Sequence, residues 1–81
     1  NASHLSRKFK EDTGMSMIDF INFIRVEASK VYLKNNTSSI TDIAFIVGFN
    51  DVNYYSRVFK KVTGQTPSQF RRKHSTGEEM E

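Results

Sequence analysis

Apolar residues recur along this chain at the three- and four-residue spacing of an α-helix, and no segment alternates at every second position as a half-buried strand does. The longest periodic stretch begins at Ser16, which has the pattern of a helix N-cap with Asp19 three positions later. We predict that this helix ends at Asn35–Asn36, because asparagine tolerates the left-handed conformation common at helix C-termini. Its buried stripe is predicted to consist of Phe20, Ile21, Ile24, Ala28, Val31 and Tyr32.

A helix-turn-helix pattern comes next in the sequence. Ser39, with Asp42 three positions later, is expected to cap a short apolar helix, and Gly48 can adopt the positive φ that ends it. Asn50 or Asp51 is expected to cap the helix that follows the turn. Two helices joined by a tight glycine-containing turn are typical of helix-turn-helix units.

The C-terminal part of the chain predicts one more short helix. The helix after the glycine turn is expected to break at Gly64. Residues 66–69 (TPSQ) have the pattern of a capping box with proline at the first helical position, so residues 70–73 are predicted to be helical. The polar, acidic residues 75–81 are expected to be disordered. The elements together predict an all-α fold.

The chain contains an internal repeat with an offset of fifty positions. Residues 3–20 (SHLSRKFKEDTGMSMIDF) align without a gap with residues 53–70 (NYYSRVFKKVTGQTPSQF), and seven of the eighteen positions are identical. Each copy has helix-forming residues, a Thr-Gly helix end and a new helix start. We therefore predict two copies of one helical unit. The predicted segments are a first-unit remnant at 1–15, a linker helix at 16–36, a second unit at 37–74 and a tail at 75–81.

One face of the helix over residues 51–63 has the residue types that read DNA bases. Its buried stripe is predicted to consist of Tyr55, Val58, Phe59 and Val62. The predicted outer face carries Val52, Asn53, Ser56, Arg57 and Lys60. Arginine can bind guanine with two hydrogen bonds, asparagine can bind adenine in the same way, and valine can contact a thymine methyl group.

The first copy of the repeat presents the same pattern. Leu5 and Phe9 are expected to face inward, and the residues expected to face outward are Ser3, Ser6, Arg7 and Lys10. The alternative is that both faces are ordinary solvated helix surfaces. The repeated Ser-Arg pair favours recognition, because two equivalent helices could enter successive major-groove segments roughly 34 Å apart.

The charge distribution agrees with a polyanionic partner. The chain has a net charge of +3, and residues 1–73 contain 12 basic and 6 acidic side chains, a net charge of +6. Charge alone does not separate nucleic-acid binding from an ordinary basic surface. The candidate phosphate contacts are Lys10, Lys60, Lys61, Arg71 and Arg72, with helix N-terminal amides near Ser39 and Thr66. The alternative for the arginines is that they stabilise the C-terminal helix dipole.

Other kinds of chemistry find little support in the sequence. The chain has no cysteine, and His4 and His74 have no partner at metal-ligand spacing, so we expect no metal and no cofactor. No glycine-rich phosphate loop or nucleophile motif occurs, so we expect no catalytic residues. The apolar runs are too short to span a membrane and no signal sequence opens the chain, so we expect a cytoplasmic protein without membrane contact.

Two longer stretches carry a specific family resemblance. IxxIAxxVGF at residues 40–49, followed by YYSRVFKKVTGQTPSQFR at residues 54–71, closely resembles the second helix-turn-helix and signature of the AraC/XylS regulators. Residues 3–14 resemble the recognition helix of that family's first unit, and residues 20–33 resemble its linking helix, with its usual arginine at Arg25.

The resemblance implies a domain of seven helices with two homeodomain-like helix-turn-helix units on a long linker helix. It implies binding to double-stranded promoter or operator DNA, usually by an activator that contacts RNA polymerase. The base-contacting residues that it implies are Ser3, Ser6, Arg7, Val52, Asn53, Tyr54 and Arg57. Tyr54 enters through the resemblance alone, and the alternative for it is aromatic packing at the rim.

The sequence departs from the family pattern at its start. Two helices that brace the first recognition helix in the family have no counterpart before Ser3, so we expect an incomplete first unit. Leu5 and Phe9 would then expose apolar surface, and we expect self-association or domain swapping through them.

Two alternatives stay open at this stage. The chain could be a small helical protein-interaction module with a basic face, and RNA binding is a weaker option because the aromatic residues look directed to the core. Family members carry either an effector-sensing domain or a receiver domain before this region. The receiver-domain variety resembles YesN-type response regulators.

Overall fold

Five α-helices make up the fold in the computed structural model, which describes the backbone of residues 2–35 and 37–75 and the side chains of residues 5–35 and 37–74. In chain order they are α1 (Ala2–Thr13), α2 (Met17–Asn35), α3 (Ile40–Ile46), α4 (Val52–Thr63) and α5 (Pro67–Ser75). No strand occurs among the described residues, and the all-α prediction is confirmed.

The two copies of the repeat end their helices with the same hydrogen bonds. Gly14 and Gly64 have left-handed φ angles of 81° and 86°, which a residue with a Cβ adopts only with strain. The Thr13 hydroxyl donates to the Phe9 carbonyl at 2.8 Å, and the Thr63 hydroxyl donates to the Phe59 carbonyl at 2.9 Å. Each threonine hydroxyl also accepts the backbone N–H two residues later at 3.1 Å. The repeat seen in the sequence is therefore a repeat of structure.

The predicted helix starts are confirmed by their caps. The hydroxyls of Ser16 and Ser39 each accept the backbone N–H three residues later at 3.0 Å. The Asp51 carboxylate accepts the Asn53 N–H at 2.8 Å, which settles the choice between Asn50 and Asp51. A reciprocal capping box precedes α5, in which the Thr66 hydroxyl accepts the Gln69 N–H and the Gln69 amide oxygen accepts the Thr66 N–H.

The turn between α3 and α4 is a Schellman motif built on Gly48. The Gly48 N–H donates to the Phe45 carbonyl at 3.1 Å, and the Phe49 N–H donates to the Ala44 carbonyl at 2.9 Å. Gly48 has a φ of 111°, as predicted for the residue that ends α3. This turn places Phe49 in the core and sends the chain directly into α4.

The core lies where α3, α4 and α5 pack against α2. Its fully or nearly fully buried apolar residues are Val26, Leu33, Ile43, Ala44, Phe49, Tyr55, Phe59 and Phe70. Edge-to-face ring contacts run through it from Tyr55 to Phe59 and from Phe59 to Phe70, with centroids 5.8 Å and 5.5 Å apart. These contacts hold α4 in a fixed rotation about its own axis.

The stripe predicted for α2 from the sequence is wrong. The buried residues of α2 are Asn22, Val26, Ser29 and Leu33, whereas the predicted stripe residues Phe20, Ile21, Ile24, Ala28 and Val31 are exposed and Tyr32 is half-buried. The helix is apolar on several sides, so its periodicity does not select one face. The side of α2 that is buried is the side that hydrogen-bonds to α4, where Tyr54 bonds to Asn22 and Tyr55 bonds to Ser29.

The two ends of the described chain differ from expectation in different ways. The Leu5 side chain of α1 is 60% exposed, while Phe9 is half-buried against Phe20 with ring centroids 5.3 Å apart. At the other end, helix is predicted at residues 70–73 and a tail from residue 75, but α5 extends to Ser75, and in its last turn the His74 ring centroid lies 4.0 Å from that of Phe70. Most of the predicted disordered tail, residues 76–81, and also Asn36 lie outside the described residues.

Candidate nucleic-acid interface

The outer face of α4 displays polar and cationic side chains because its opposite face is fixed in the core. Asn53, Arg57, Lys60 and Lys61 are exposed, opposite the buried Tyr55 and Phe59. Two members of the predicted outer set are less accessible, since Ser56 and Val52 are half-buried and Val52 packs against the core. The predicted base contacts of α4 therefore lie on one accessible face, with Val52 at its inner edge.

The predicted buried stripe of α4 needs one correction. Tyr55 and Phe59 are buried and Val58 is half-buried, but Val62 is 38% exposed. Val62 lies in the last turn of α4, where it borders an open cavity of about 400 Å³ instead of the core. That cavity separates α4 from the start of α2, so nothing covers Val62 from that side. Its other lining residues are Met15, Asp19, Asn22, Phe23, Tyr54, Arg57, Val58 and Lys61.

Tyr54 is tied into the structure at the edge of this face. Its hydroxyl accepts a 2.9 Å hydrogen bond from the buried Asn22 side-chain amide, and its ring meets Phe49 edge-on at 5.8 Å. The Arg57 guanidinium carbon lies 5.9 Å from the centre of the Tyr54 ring, within the range of a cation–π contact. The rim-packing alternative thus describes much of what Tyr54 does here, and its contact with DNA stays a prediction.

Arg57 is accessible to a ligand. Its side chain is exposed, and the ion pairs found among the described residues involve other groups, namely Lys8 with Asp12 and Lys30 with Glu27. The guanidinium of an arginine is a cation with a planar fork of donors, and Arg57 presents both to a ligand.

The α1 copy of this face is equally accessible. Ser6, Arg7 and Lys10 are exposed, at the positions equivalent to Ser56, Arg57 and Lys60. The Ser6 hydroxyl donates a weak 3.4 Å hydrogen bond to the Met17 sulfur. The Ser3 backbone belongs to α1, and its side chain lies outside the described part of the chain.

The predicted phosphate-contacting residues divide into two groups. Lys10, Lys60, Lys61 and Arg72 are exposed. Arg71 is half-buried, and its guanidinium donates to the carbonyls of Leu33 at 3.2 Å and Ser38 at 2.7 Å. Arg71 thus binds carbonyls at and just beyond the end of α2, a structural role that the sequence did not reveal. We therefore leave Arg71 out of the interface that we propose below.

The predicted N-terminal amide sites differ in electrostatics. The α3 helix has only seven residues and carries Asp42 in its first turn, so a phosphate near Ser39 meets a negative charge. The α5 helix has no acidic residue in its first turn, which makes the start near Thr66 the more favourable of the two.

Two further searches bear on what the described residues can bind. They contain no cluster of three or more His, Cys, Asp or Glu side chains arranged to hold a metal ion. None of the helices in the described ranges combines the length and apolar character needed to cross a membrane.

The sequence pattern of a family described as helix-turn-helix domain matches residues 1–73. The chain belongs to the AraC/XylS-type helix-turn-helix family. This is a family of DNA-binding transcription regulators, as the sequence resemblance predicted. The match includes α1, α2 and the α3–α4 pair, so the exposed faces of α1 and α4 both lie in the family's DNA-binding region.

Solved C-terminal domains of two response regulators have the same fold. The C-terminal domain of AraT, a response regulator from Geobacillus stearothermophilus, superposes with a TM-score of 0.83 at 36% identity, over 90% of this chain and 60% of that one. The C-terminal domain of the response regulator yesN from Fusobacterium nucleatum superposes with a TM-score of 0.79 at 37% identity, over 88% of this chain and 69% of that one.

A curated relative in sequence has a second activity in its name. The bifunctional transcriptional activator/DNA repair enzyme AdaA of Bacillus subtilis is 43% identical over 68 residues, which cover 84% of this chain. The chain spans 32% of the length of AdaA, about a third of that relative. The similarity therefore concerns a helix-turn-helix region within a longer protein.

Proposed function

We propose that this chain binds a specific sequence of double-stranded DNA with α4 in the major groove and α1 as a second reading helix, and that it thereby regulates transcription. The observation that carries the proposal is the repeated display of an exposed arginine, Arg7 on α1 and Arg57 on α4, on helices that end in the same Thr-Gly cap. Because the two helices and their caps are equivalent, side chains at equivalent positions of the repeat are placed in the same way on each helix. Two equivalent arginines are therefore presented to one duplex.

The chemistry of the α4 face suits base edges. The Arg57 guanidinium can donate two hydrogen bonds to guanine, and the exposed Asn53 amide can pair with adenine in the same two-bond manner. The Tyr54 ring beneath Arg57 limits the conformations of that side chain, which lowers the entropy lost on binding. Ser56 and Val52 lie closer to the core, so we assign them base contacts at the edge of the same face.

Phosphate contacts supply affinity without reading sequence. We assign them to the exposed Lys10, Lys60, Lys61 and Arg72 and to the N-terminal amides near Thr66. With about five phosphates engaged, the logarithm of affinity falls with the logarithm of salt concentration at a slope of about −4 to −5.

The regulatory outcome that we propose is activation of a bacterial promoter. AdaA is named a transcriptional activator, and it shares 43% of its residues with this chain over the matched region. In the full-length protein, contact with RNA polymerase would follow from binding beside the promoter. A protein with this function acts in the cytoplasm, where the bacterial chromosome lies.

The test is selection from a pool of random duplexes with the 81-residue chain, followed by affinity measurements on the selected sequence. We expect Arg57→Ala to lose discrimination at one base pair, at a cost of about 1–3 kcal/mol for that contact. Arg57→Lys keeps the charge but lacks the planar fork, so it should retain general affinity and lose the discrimination. Lys34→Gln, at the end of α2, is a control for the loss of one positive charge.

Two results on base preference would overturn the proposal. One is a wild-type chain that enriches no sequence, and the other is an Arg57→Ala variant with unchanged base preference. Salt-independent binding would also contradict it. If the Arg57 variants instead lose an acidic protein partner with no change in DNA affinity, the alternative of a protein-interaction module is correct.

A further inference from the structure

A second, smaller cavity of about 310 Å³ lies at the entry to α4, beside the Gly48 turn. Two arginines from different helices line it, Arg25 of α2 and Arg57 of α4. One carboxylate, that of Asp51, also lines it, and that carboxylate already accepts the Asn53 N–H as the cap of α4. The charged side chains of this cavity therefore leave it net positive.

Arg25 is held in place by apolar and aromatic contacts. Its guanidinium carbon lies 5.7 Å from the centre of the Phe49 ring, and a Cβ built on Gly48 would fall 2.8 Å from its Nε. The arginine side chain thus fills the space that the missing glycine side chain leaves. Long side chains fixed in this way lose little further entropy when they bind a ligand.

The hydrogen-bonding groups of Arg25 are not used inside the described chain. Among the side chains of residues 5–35 and 37–74 and the carbonyls of residues 2–35 and 37–75, none hydrogen-bonds or ion-pairs with its guanidinium. None of its nitrogens is sealed away from solvent either, although the side chain as a whole is half-buried. A half-buried guanidinium with accessible, unused donors gains most from an anion that accepts several of them.

Arg25 and Arg57 flank the same pair of aromatic rings. Phe49 and Tyr54 meet edge-on with centroids 5.8 Å apart, Arg25 lies against Phe49, and Arg57 lies against Tyr54. The rings hold two like charges at one cavity, where their repulsion is relieved by an oxyanion placed between them. The planar fork of guanidinium fits phosphate with two parallel hydrogen bonds.

We infer that Arg25 is a phosphate-binding residue, and that a phosphate of the DNA backbone occupies the cavity between Arg25 and Arg57. This inference rests on the proposed function, because a duplex whose base edge meets Arg57 brings its own backbone beside that helix. Arg25 comes from the linker helix α2, so this contact fixes α4 in the groove from outside the helix-turn-helix pair. The phosphate contact fixes the position of α4 along the groove and does not itself recognise a base.

The test combines protein variants with a duplex in which single phosphates are replaced by neutral methylphosphonates. On the selected duplex, we expect one position near the α4 site where this replacement weakens the wild-type chain about tenfold. Arg25→Gln should show a similar loss on the unmodified duplex, no further loss at that position, unchanged base preference, and a salt slope smaller by about 1. Lys34→Gln should keep the wild-type response to the methylphosphonate.

A purely structural role for Arg25 gives a different result. In that case Arg25→Gln lowers the melting temperature and the base preference together, and the methylphosphonate still weakens it about tenfold, which would overturn the inference. If Arg25→Gln does not fold, Arg25→Lys decides: a methylphosphonate effect smaller than that of the wild type supports the inference, and an equal effect refutes it. A free anion is the correct occupant if millimolar inorganic phosphate displaces the duplex from the wild-type chain but not from Arg25→Lys.

Failure of this inference is distinguishable from failure of the proposed function. A wild-type chain without any sequence preference refutes the proposed function. A wild-type chain that binds its selected duplex, while Arg25→Gln responds identically at every substituted phosphate, refutes only the role of Arg25.

Discussion

The Tyr55 hydroxyl donates a 2.8 Å hydrogen bond to the hydroxyl of Ser29, which itself donates to the Val26 carbonyl at 2.8 Å. Both side chains are fully buried, so this chain of bonds ties α4 directly to the middle of α2. It fixes which side of α4 faces the core and, as a result, which side carries Arg57. The bond is thus a link between stability and the proposed reading face.

The losses from removing the two partners of this bond should not be additive. Ser29→Ala leaves the buried Tyr55 hydroxyl without an acceptor, and we expect a loss of about 1–3 kcal/mol in the free energy of unfolding. In the double variant with Tyr55→Phe no orphaned hydroxyl remains, so its loss should be smaller than the sum of the single losses. Urea unfolding measures the free energy of unfolding of the two single variants and of the double variant.

The matched control for that cycle is Tyr32→Phe, because no described residue hydrogen-bonds the Tyr32 hydroxyl. We expect that change to stay within about 0.5 kcal/mol of the wild type. Strictly additive losses for Ser29→Ala and Tyr55→Phe would show that the bond contributes nothing.

Stability should fall at alkaline pH through Tyr55. Burial raises the pKa of Tyr55 above its ordinary value of 10.0, although the Ser29 hydrogen bond and the Arg71 charge partly oppose this. Because the folded-state pKa is the higher one, the contribution is complete below about pH 10 and is lost as the pH rises through the folded-state pKa. Urea midpoints measured from pH 8 to 11 should drop more steeply for the wild type than for Tyr55→Phe. If the urea midpoints of the wild type and of Tyr55→Phe fall in parallel with pH, Tyr55 is not the cause of the alkaline loss of stability.

Gly48 and Gly64, two of the positive-φ glycines among the described residues, should not be equally sensitive to substitution. A Cβ on Gly64 meets nothing within 4 Å, so Gly64→Ala costs only the left-handed strain, about 1–2 kcal/mol. A Cβ on Gly48 would fall 2.8 Å from the Arg25 Nε, so the end of that flexible side chain must also move, which adds a small further cost to the strain. In an Arg25→Ala background, the cost of Gly48→Ala should fall toward that of Gly64→Ala. Equal costs in the wild-type background would refute this packing account, and thermal unfolding measures them.

The register of α2 can be tested with two apolar truncations. Val26 is fully buried, so Val26→Ala should cost about 2 kcal/mol from lost burial and the cavity that remains. Ile24 is 49% exposed, and Ile24→Ala should cost less than about 1 kcal/mol. The opposite order would mean that the stripe expected from periodicity, and not the face described here, is the buried one.

The repeat was the most predictable feature of the fold, because local chemistry determines it. Thr13 and Thr63 form their caps with atoms at most four residues away, and the same is true of Ser16 and of Ser39. Such contacts are visible in sequence spacing alone, so the helix boundaries and the turn at Gly48 could be predicted.

The buried face of α2 could not be predicted, because distant residues decide it. Asn22 and Ser29 are polar, and they are buried only since tyrosines more than twenty residues away supply hydrogen bonds to them. Arg71 shows the same limitation. Its place in a basic run suggested phosphate binding, whereas carbonyls over thirty residues earlier in the chain hold its guanidinium.

The residue types of the candidate interface could be predicted from the sequence, but the contacts that hold those residues in place could not. The exposure of Arg57 followed from helical periodicity. The aromatic pair beneath it and the approach of Arg25 from another helix depend on how α2 crosses the Gly48 turn, which no local pattern records.

The joint between α1 and α2 has a consequence for operator architecture. Within the described residues, the interactions that hold α1 run to the first turn of α2, through Phe9 with Phe20 and Ser6 with Met17. The α4 helix, by contrast, is anchored to α2 by hydrogen bonds to Asn22 and Ser29, which lie about two turns of α2 apart. The angle between the two helices can therefore change at one end only. Under the proposed function, we expect the DNA site of α1 to tolerate an inserted or deleted base pair better than the DNA site of α4.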